Sequence, residues 1–489
     1  MSFRSTSRYL LGTALIAGTV SGSSLTAATA PAPTSISAKD KAEGAKAHPQ
    51  LVAEYGGALT GAQADYVASI GKKIAVQSGL SNSSSDFTVT LLDSSINNAF
   101  AIPGGYIYTT RQLVGLMNNE AELGGVLGHE TAHVALRHSA QRQSAATKNQ
   151  VIGVIGAILS GVVLGGGSKI GQLLQSGFLQ GSQLLTLKFS RKQESEADAY
   201  GIQYLRKAGY DPRAMSTVLQ SLANQNALDA KLLGTSDQVP EWASTHPDPA
   251  SRVRTAASLA GNVTGVTNRD TFLSRISGLT YGDSPAQGYA EGRSFKHPLE
   301  RIAFEAPTGF YLVNGTQAVA IGGTSGKGQF TTAAFNGNLD AYVTAQFAAL
   351  AQSNQTQLAP SQIQHTTVNG IPAAYAVARV ANGSSPVDVT VFAYQWSATQ
   401  AYHFLTITKA GQNPFDSMYA SMRRLSAADA SALKPRKLVV VSVKSGDTLQ
   451  SLAARMAYTD APLERFLVLN GLTSTSRLAA GQKVKLVTY

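Results

Sequence analysis

The spacing of apolar residues changes along the chain, and the changes divide it. Val67, Ile70, Ile74 and Val76 fall near one face of ADYVASIGKKIAVQSGL, so a helical stretch is predicted from His48 to about Leu80. Phe87, Val89 and Leu91 alternate in DFTVTLLDS (86–94), which predicts a strand. NAFAIPGGYIYTT (98–110) reads as strand, turn and strand, with Pro103-Gly104-Gly105 as the turn. The helical period returns in RQLVGLMNNEAELGGVLGHETAHVALRHSAQRQSA. It returns again over 191–228, in two runs separated by Gly209-Tyr210-Asp211-Pro212, and fades after about residue 262.

From 295 to 425 the period is mostly two. FTTAAF, AAYAVARV, VDVTVFAYQW and AYHFLTIT read as strands, the last two as a hairpin across Ser397–Gln400. A helix, LDAYVTAQFAALAQ (339–352), is interleaved. His365 and His403 stand alone in this region and read as structural. Residues 438–489 then give strand, helix, helix and strand in a short unit.

A chain of 489 residues exceeds one hydrophobic core, so several domains are expected. Residues 1–30 read as a secretory signal: Arg4 and Arg8 precede the apolar YLLGTALIAGTV, and Ala28-Thr29-Ala30 has the small-residue cleavage pattern. Residues 31–47 read as a polar linker and 431–437 as a second one. Between and after them fall a first domain over 48–285, an α+β domain over 295–428 and a small domain over 438–489. Residues 149–168 carry no charge but hold six glycines, which predicts a buried or membrane-touching helical hairpin rather than a span.

Composition narrows the chemistry. With no cysteine, disulfides, thiolate ligands and a cysteine nucleophile are excluded. The net charge of +11 falls to +9 without Arg4 and Arg8, a basic surface suited to anionic membranes or cell-wall polymer. The basic residues form neither a helical stripe nor an aromatic-interleaved patch, so no nucleic-acid partner is expected.

Three of the eight histidines lie in GGVLGHETAHVALRH (124–138). His129 and His133 stand one turn apart on one helical face and can grip one zinc ion, with Glu130 beside them to take a proton from water. A catalytic zinc wants three protein ligands and an open position. On a continuous helix His138 lies about 180° from His129 and cannot reach the same ion. A carboxylate from RKQESEADAY is the remaining choice. Glu194 and Asp198 share a face, whereas Glu196 points elsewhere. Glu194 is assigned as the third ligand, and Asp198 as acceptor of the outer N–H of a ligating histidine.

At these residues the sequence resembles the zinc metallopeptidases that include HtpX and the CAAX prenyl endopeptidases, most closely their periplasmic BepA-like branch. The motifs carrying the resemblance are NAFAIPGGYIYTTRQLV, LGHETAHVALRH, FSRKQESEADAYGIQYLRKAGYDPRAM and STHPDPASRV, within about 48–262. It implies one Zn2+ per chain on His129, His133 and Glu194, Glu130 as catalytic base, and Asp198 behind the ligands. It also brings His246 to the site, as a zinc contact or an oxyanion donor. As a fourth ligand His246 would fill the water position and leave the resting enzyme latent. Near Asn98 and Phe100 it implies a strand that pairs with an extended substrate.

Residues 439–487 resemble a LysM module, which implies binding of N-acetylglucosamine polymers such as peptidoglycan. The glycan-binding candidates are Gly446, Asp447, Thr448, Asn470 and Gly471. The expected architecture is multidomain: a mainly α-helical, zincin-like metallopeptidase domain with a small β-sheet, an α+β domain, and a small βααβ LysM-like domain. The expected function is a periplasmic zinc metalloendopeptidase acting on unfolded or misassembled envelope proteins. The alternatives are a chaperone or assembly factor with little proteolysis, and a hydrolase of peptidoglycan stem peptides.

Overall fold

A small sheet organises the first domain in the computed structural model, which describes residues 35–138, 189–233, 246, 249–354, 358–380 and 386–489. Strands β1 (Thr88–Leu92), β2 (Ala99–Ile102) and β3 (Tyr106–Thr110) lie in the order β1-β3-β2, with β1 parallel and β2 antiparallel to β3. Alternation sends Val89, Leu91, Ala99 and Ile107 to the main core, and Phe100, Ile102 and Tyr108 to the opposite face. That opposite face is covered by Leu51 and Tyr55 of α1 (Ala38–Glu54). The expected linker over 31–47 is therefore corrected. The chain is helical from Ala38, because Ser37 and Asp40 form a capping box that a polar reading overlooks.

On the core face lie α2 (Ala62–Ala75), α3 (Arg111–Leu116) and α4 (Glu120–Ala135). The first turn of α4 is anchored by two buried carboxylates near its positive end. Glu120 accepts from Tyr66 (2.6 Å), Tyr210 (2.5 Å) and Asn268 (3.1 Å). Glu122 accepts from Thr217 Oγ1 and Asn118 N, each at 2.7 Å. α5 (Arg191–Lys207) packs on α4, followed by α6 (Ala214–Leu233), α7 (Pro249–Ala260) and α8 (Arg269–Ile276). The α4–α5 crossing is backbone to backbone. A Cβ on Gly201 would sit 3.1 Å from His129 N and 2.6 Å from Met215 Cε, so a larger residue would have to move Met215 and press on the α4 backbone.

The second domain carries two sheets. Strands β4 (Tyr289–Glu291), β5 (Ser294–His297), β6 (Ile302–Glu305) and β14 (Arg423–Arg424) form one, in the order β14-β6-β5-β4. The other is antiparallel and runs β10-β11-β12-β13-β9-β8-β7. Its strands are β7 (Phe310–Asn314), β8 (Val319–Gly323), β9 (Gly326–Ala334), β10 (Gln364–Val368), β11 (Ile371–Val380), β12 (Val387–Gln395) and β13 (Gln400–Lys409). Helix α9 (Leu339–Asn354) covers one face, and an aromatic cluster around Phe304, Phe330 and Phe404 fills the other side. Short helices α10 (Asp416–Ser421) and α11 (Ala427–Ala432) close the domain. His365 stands 3.0 Å from Asp340, and His403 is buried against the Tyr342 hydroxyl at 2.9 Å.

The last domain runs β15 (Lys437–Ser442), α12 (Leu449–Ala453), α13 (Pro462–Asn470) and β16 (Lys483–Thr488). Its core is continuous with that of the first domain. The residues before β15 do not form a free linker: Tyr281 N donates to Arg436 O (3.0 Å), and Gly278 N and Leu438 N exchange bonds with Leu438 O and Leu279 O. The fully buried Lys485 donates to the carbonyls of Gly115 (2.8 Å), Leu116 (3.0 Å) and Met117 (2.7 Å), at the turn between α3 and α4. Residues 33–489 form one compact unit. Among the described residues no helix is long and apolar enough to cross a membrane. The expected signal sequence and the 149–168 segment lie outside the described residues.

Candidate metal centre

α4 and α5 bring together the residues that sequence spacing paired. His129 Nε2 and His133 Nε2 stand 3.0 Å apart. Glu194 places its two oxygens 3.7 Å from His129 Nε2 and 3.4 Å from His133 Nε2. One donor atom from each of His129, His133, Glu194 and His246 lies within 4.8 Å of the others, and all four residues are buried. Two ligands about 2.1 Å from one ion at a tetrahedral angle stand roughly 3.4 Å apart. The observed separations bracket that value, and imidazole nitrogen with carboxylate oxygen is a donor set that suits zinc.

The surrounding bonds fix how these ligands face. His129 Nδ1 is 2.9 Å from Asp198 Oδ1, one turn from Glu194 on α5. Burial disfavours ionisation of Asp198, but Arg252 outweighs it and holds the carboxyl below its ordinary range. The ionised Asp198 therefore accepts from Nδ1–H and leaves Nε2 of His129 as a lone pair facing the cluster. Burial also lowers the pKa of His129, which favours the neutral, ligating imidazole.

Arg252, on α7, had no role in the sequence reading. Its Nε and Nη2 bond to Asp198 at 2.7 and 2.6 Å, and Nη1 bonds to Glu194. Two carboxylates buried side by side on α5 require such a cation, and that requirement was the available signal. Phe189 was also overlooked: its ring stacks on His133 at 3.7 Å, just before the capping residue Ser190 of α5.

His138 corrects an expectation. α4 does not continue through it. The helix stops at Leu136, and Arg137 takes a left-handed φ of 55°. The chain turns back, so His138 is buried with Nδ1 2.9 Å from His133 Nδ1 and Nε2 3.3 Å from Glu196. It stays outside the group of converging donors, as expected, but bonds a ligating histidine from the outer side instead of lying across the helix from it. Glu196 does point away from the cluster, as its 200° offset predicts.

Glu130 is buried beside the ligands, with Oε1 3.4 Å from His246 Nε2. The His246 ring centroid lies 5.3 and 5.4 Å from those of His129 and His133. Asn98 and Phe100 turn their side chains inward. Asn98 Nδ2 donates to Tyr55 OH (3.1 Å), and Phe100 stacks on Tyr108 (4.5 Å). What β2 offers is backbone, as the last strand of its sheet. In the last domain, Asp447 accepts from Lys444 N and Thr448 caps α12, in loops open to solvent. Gly446 takes φ +87° with open space around it, and Gly471 sits where a Cβ would lie 3.3 Å from Asn118 Nδ2. Asn470 is buried and its amide is spent on Phe466 O, Lys485 O and Lys485 N, which leaves it little to offer a glycan.

Comparison with known proteins matches residues 61–260 to Peptidase family M48 and residues 441–487 to the LysM domain. The β-barrel assembly-enhancing protease of Yersinia pestis is 36% identical over 180 residues, covering 36% of this chain and 35% of that protein. The protein of the same name from Escherichia coli O157:H7 is 31% identical over 198 residues, covering 40% and 39%. Mitochondrial metalloendopeptidase OMA1 of Schizosaccharomyces pombe is 32% identical over 213 residues, covering 42% and 57%. The chain thus spans less than two thirds of the length of each of these relatives. His129, His133, Glu194 and His246 all lie within the matched residues 61–260. Residues 61–260 of the chain thus match Peptidase family M48 and are similar to part of the β-barrel assembly-enhancing proteases, and residues 441–487 match the LysM domain.

Proposed function

We propose that this protein is a zinc metalloendopeptidase of the cell envelope, cutting unfolded or misassembled proteins. The observation that carries the reading is the buried cluster of His129, His133, Glu194 and His246 with Glu130 against it. His129, His133 and Glu194 would hold a zinc ion, which would supply Lewis-acid chemistry at the site. Asp198 and Arg252 orient His129 and Glu194 for that role. Glu130 takes the proton of the attacking water and returns it to the leaving amine. His246, a few ångströms from Glu130, donates to the oxygen on which negative charge develops. The free edge of β2 pairs with the substrate in extended form, which selects unfolded chains over folded ones. The LysM domain supports residence near peptidoglycan, with Gly446, Asp447 and Thr448 on its open loops.

The test is zinc content together with cleavage of an unfolded protein such as reduced casein. Wild type is expected to hold about one zinc per chain and to cleave. Glu130→Gln is expected to hold the same zinc and lose at least about a hundredfold in rate. Zinc in both proteins with cleavage by neither would sink the protease reading, and release of muropeptides from peptidoglycan would favour a wall hydrolase.

A further inference from the structure

A cavity of about 950 Å³ lies away from the metal ligands, where the three domains meet. Its wall includes Ser95, Ile96 and Asn97, which lead directly into β2. Asp229 of α6 and Asp283 line it from the first domain and the connection to the second, and Arg436 and Arg465 line it from the last. The volume exceeds what one small ion needs and matches a stretch of peptide.

The charges lining it do not cancel. Four acids line the cavity, Asp229, Asp283, Glu291 and Asp460, against two arginines and no lysine. Arg436 is bonded to Glu291 and to Ala457 O, and Arg465 to Asp460 at 2.6 Å and to its carbonyl. Those two pairs neutralise each other. Asp229 is left with Gln225 Nε2 (2.8 Å), and Asp283 with neutral donors such as Ala290 N (2.8 Å). Burial holds both carboxyls above their ordinary range, outweighing the pull of Arg465 on Asp229 and of Arg111 on Asp283.

The amides lining the cavity point the same way. Asn314 is 8% exposed, and its Oδ1 has no hydrogen-bond partner among the described residues, although its amide nitrogen donates to Gln287 O and Gly288 O. Asn97 Oδ1 is likewise buried without a partner among the described residues. A buried acceptor with nothing to accept is destabilising. The cavity therefore has acceptors to spare, while its strongest donors are already used. Such a lining is complementary to a ligand that is cationic and rich in N–H groups.

We propose that this cavity is a subsite for a basic side chain, lysine or arginine, of the polypeptide substrate. This rests on the reading that β2 takes the substrate in extended form. Asn98 to Ile102 spans roughly 13 Å as a strand. A peptide of about ten residues can therefore pair with β2 and still deliver a side chain past Asn97 into the cavity. Substrate choice then depends on a basic residue several positions from the scissile bond, read by Asp229 and Asp283.

The experiment measures binding, so that it stands apart from cleavage. Full-length Glu130→Gln protein is titrated with fluorescent ten-residue peptides in which one lysine is moved along an otherwise neutral sequence. Norleucine replaces that lysine in the controls. Binding is expected to peak at one lysine position, about tenfold tighter than norleucine there. Asp229→Asn with Asp283→Asn is expected to erase that preference. Asn97→Lys, which supplies a cation from the wall itself, is expected to erase it too, and decides the matter if the double variant does not fold. Equal affinity for lysine and norleucine at every position would overturn the subsite. So would an unchanged preference in a folded variant, or cadaverine binding as tightly as the peptide. Casein cleavage by the wild type is scored separately, so a protein that cleaves but shows no lysine preference loses the subsite and keeps the protease reading.

Discussion

The two ends of α4 are held by opposite means. Its C-terminal half, at His129 and His133, is fixed by charge: Asp198 and Glu194 are buried, and Arg252 answers both. Its N-terminal turn abuts a buried lysine from another domain. Lys485 is met by three neutral carbonyls, and Glu122 by a hydroxyl and a backbone N–H. Burial pushes the lysine down to about 7 and the Glu122 carboxyl up, each against the weaker attraction of the other. The metal end therefore depends on ions staying ions. The seam depends on hydrogen bonds that stay useful as charge is lost.

The largest difference is expected on removing a cation from each end. Arg252→Met leaves Glu194 and Asp198 buried without their counter-ion. A loss of about 3–5 kcal/mol is expected by denaturant titration. Metal affinity is expected to fall roughly 10–100-fold, read by competition with a chelator. Lys485→Met keeps the volume and removes an amine that is only partly charged at neutral pH, so a smaller loss of about 2 kcal/mol is expected, without loss of metal affinity. A Lys485→Met protein that is as damaged as Arg252→Met in zinc binding would erase the contrast.

The pH dependence separates the ends further. The folded-state pKa of Lys485, about 7, lies below its ordinary value of 10.5. Between those values the unfolded chain holds the extra proton, so stability rises with pH across that window. Lys485→Met is expected to flatten this rise, measured as the difference in denaturation midpoint between pH 7 and pH 9. An equal slope in both proteins would place the titration elsewhere.

His138→Ala touches the metal end more gently, because His138 meets His133 only on its outer nitrogen. Zinc affinity is expected to fall about tenfold or less, with His133 still in place. Affinity lost to the extent seen for Arg252→Met would make His138 a ligand rather than a support.

How far these features were legible follows from their range in sequence. His129 and His133 share one helical face, as do Glu194 and Asp198, so helical period together with zinc's need for a third ligand made them legible. The place of His138 behind His133 was not legible, because a continuous helix sends it to the far side and no periodicity reveals the left-handed backbone of Arg137. The helix over 38–47 was hidden by its polar composition, though Ser37 and Asp40 stood at capping spacing. His246 came only from resemblance, and Arg252 was not assigned at all, since a loop histidine and a helical arginine carry no local mark of a shared site. Lys485 was out of reach. Its partners at 115–117 lie about 370 positions away, and a lysine in a strand reads as surface.

The smallest effect joins stability to the cavity. Asp229 is pushed up to about 6 by burial, from an ordinary 3.8. Its folded-state pKa is the higher one, so between those values the native chain holds more protons and stability falls as pH rises. Two units correspond to at most about 3 kcal/mol, and partial exposure reduces this to about 1 kcal/mol. Asp229→Asn is therefore expected to raise the melting temperature by about 1–2 °C at pH 7.5 and to leave it unchanged below pH 4. The same variant should bind lysine peptides less well. At the metal centre, a loss of function and a loss of stability go together, because the charges there answer one another. At the cavity they should part, because an acid whose burial outweighs the pull of its nearest arginine is a burden to the fold until a ligand brings a further cation. If Asp229→Asn lowers both the melting temperature and peptide affinity at pH 7.5, then Asp229 is a structural acid and the distinction between the two regions fails.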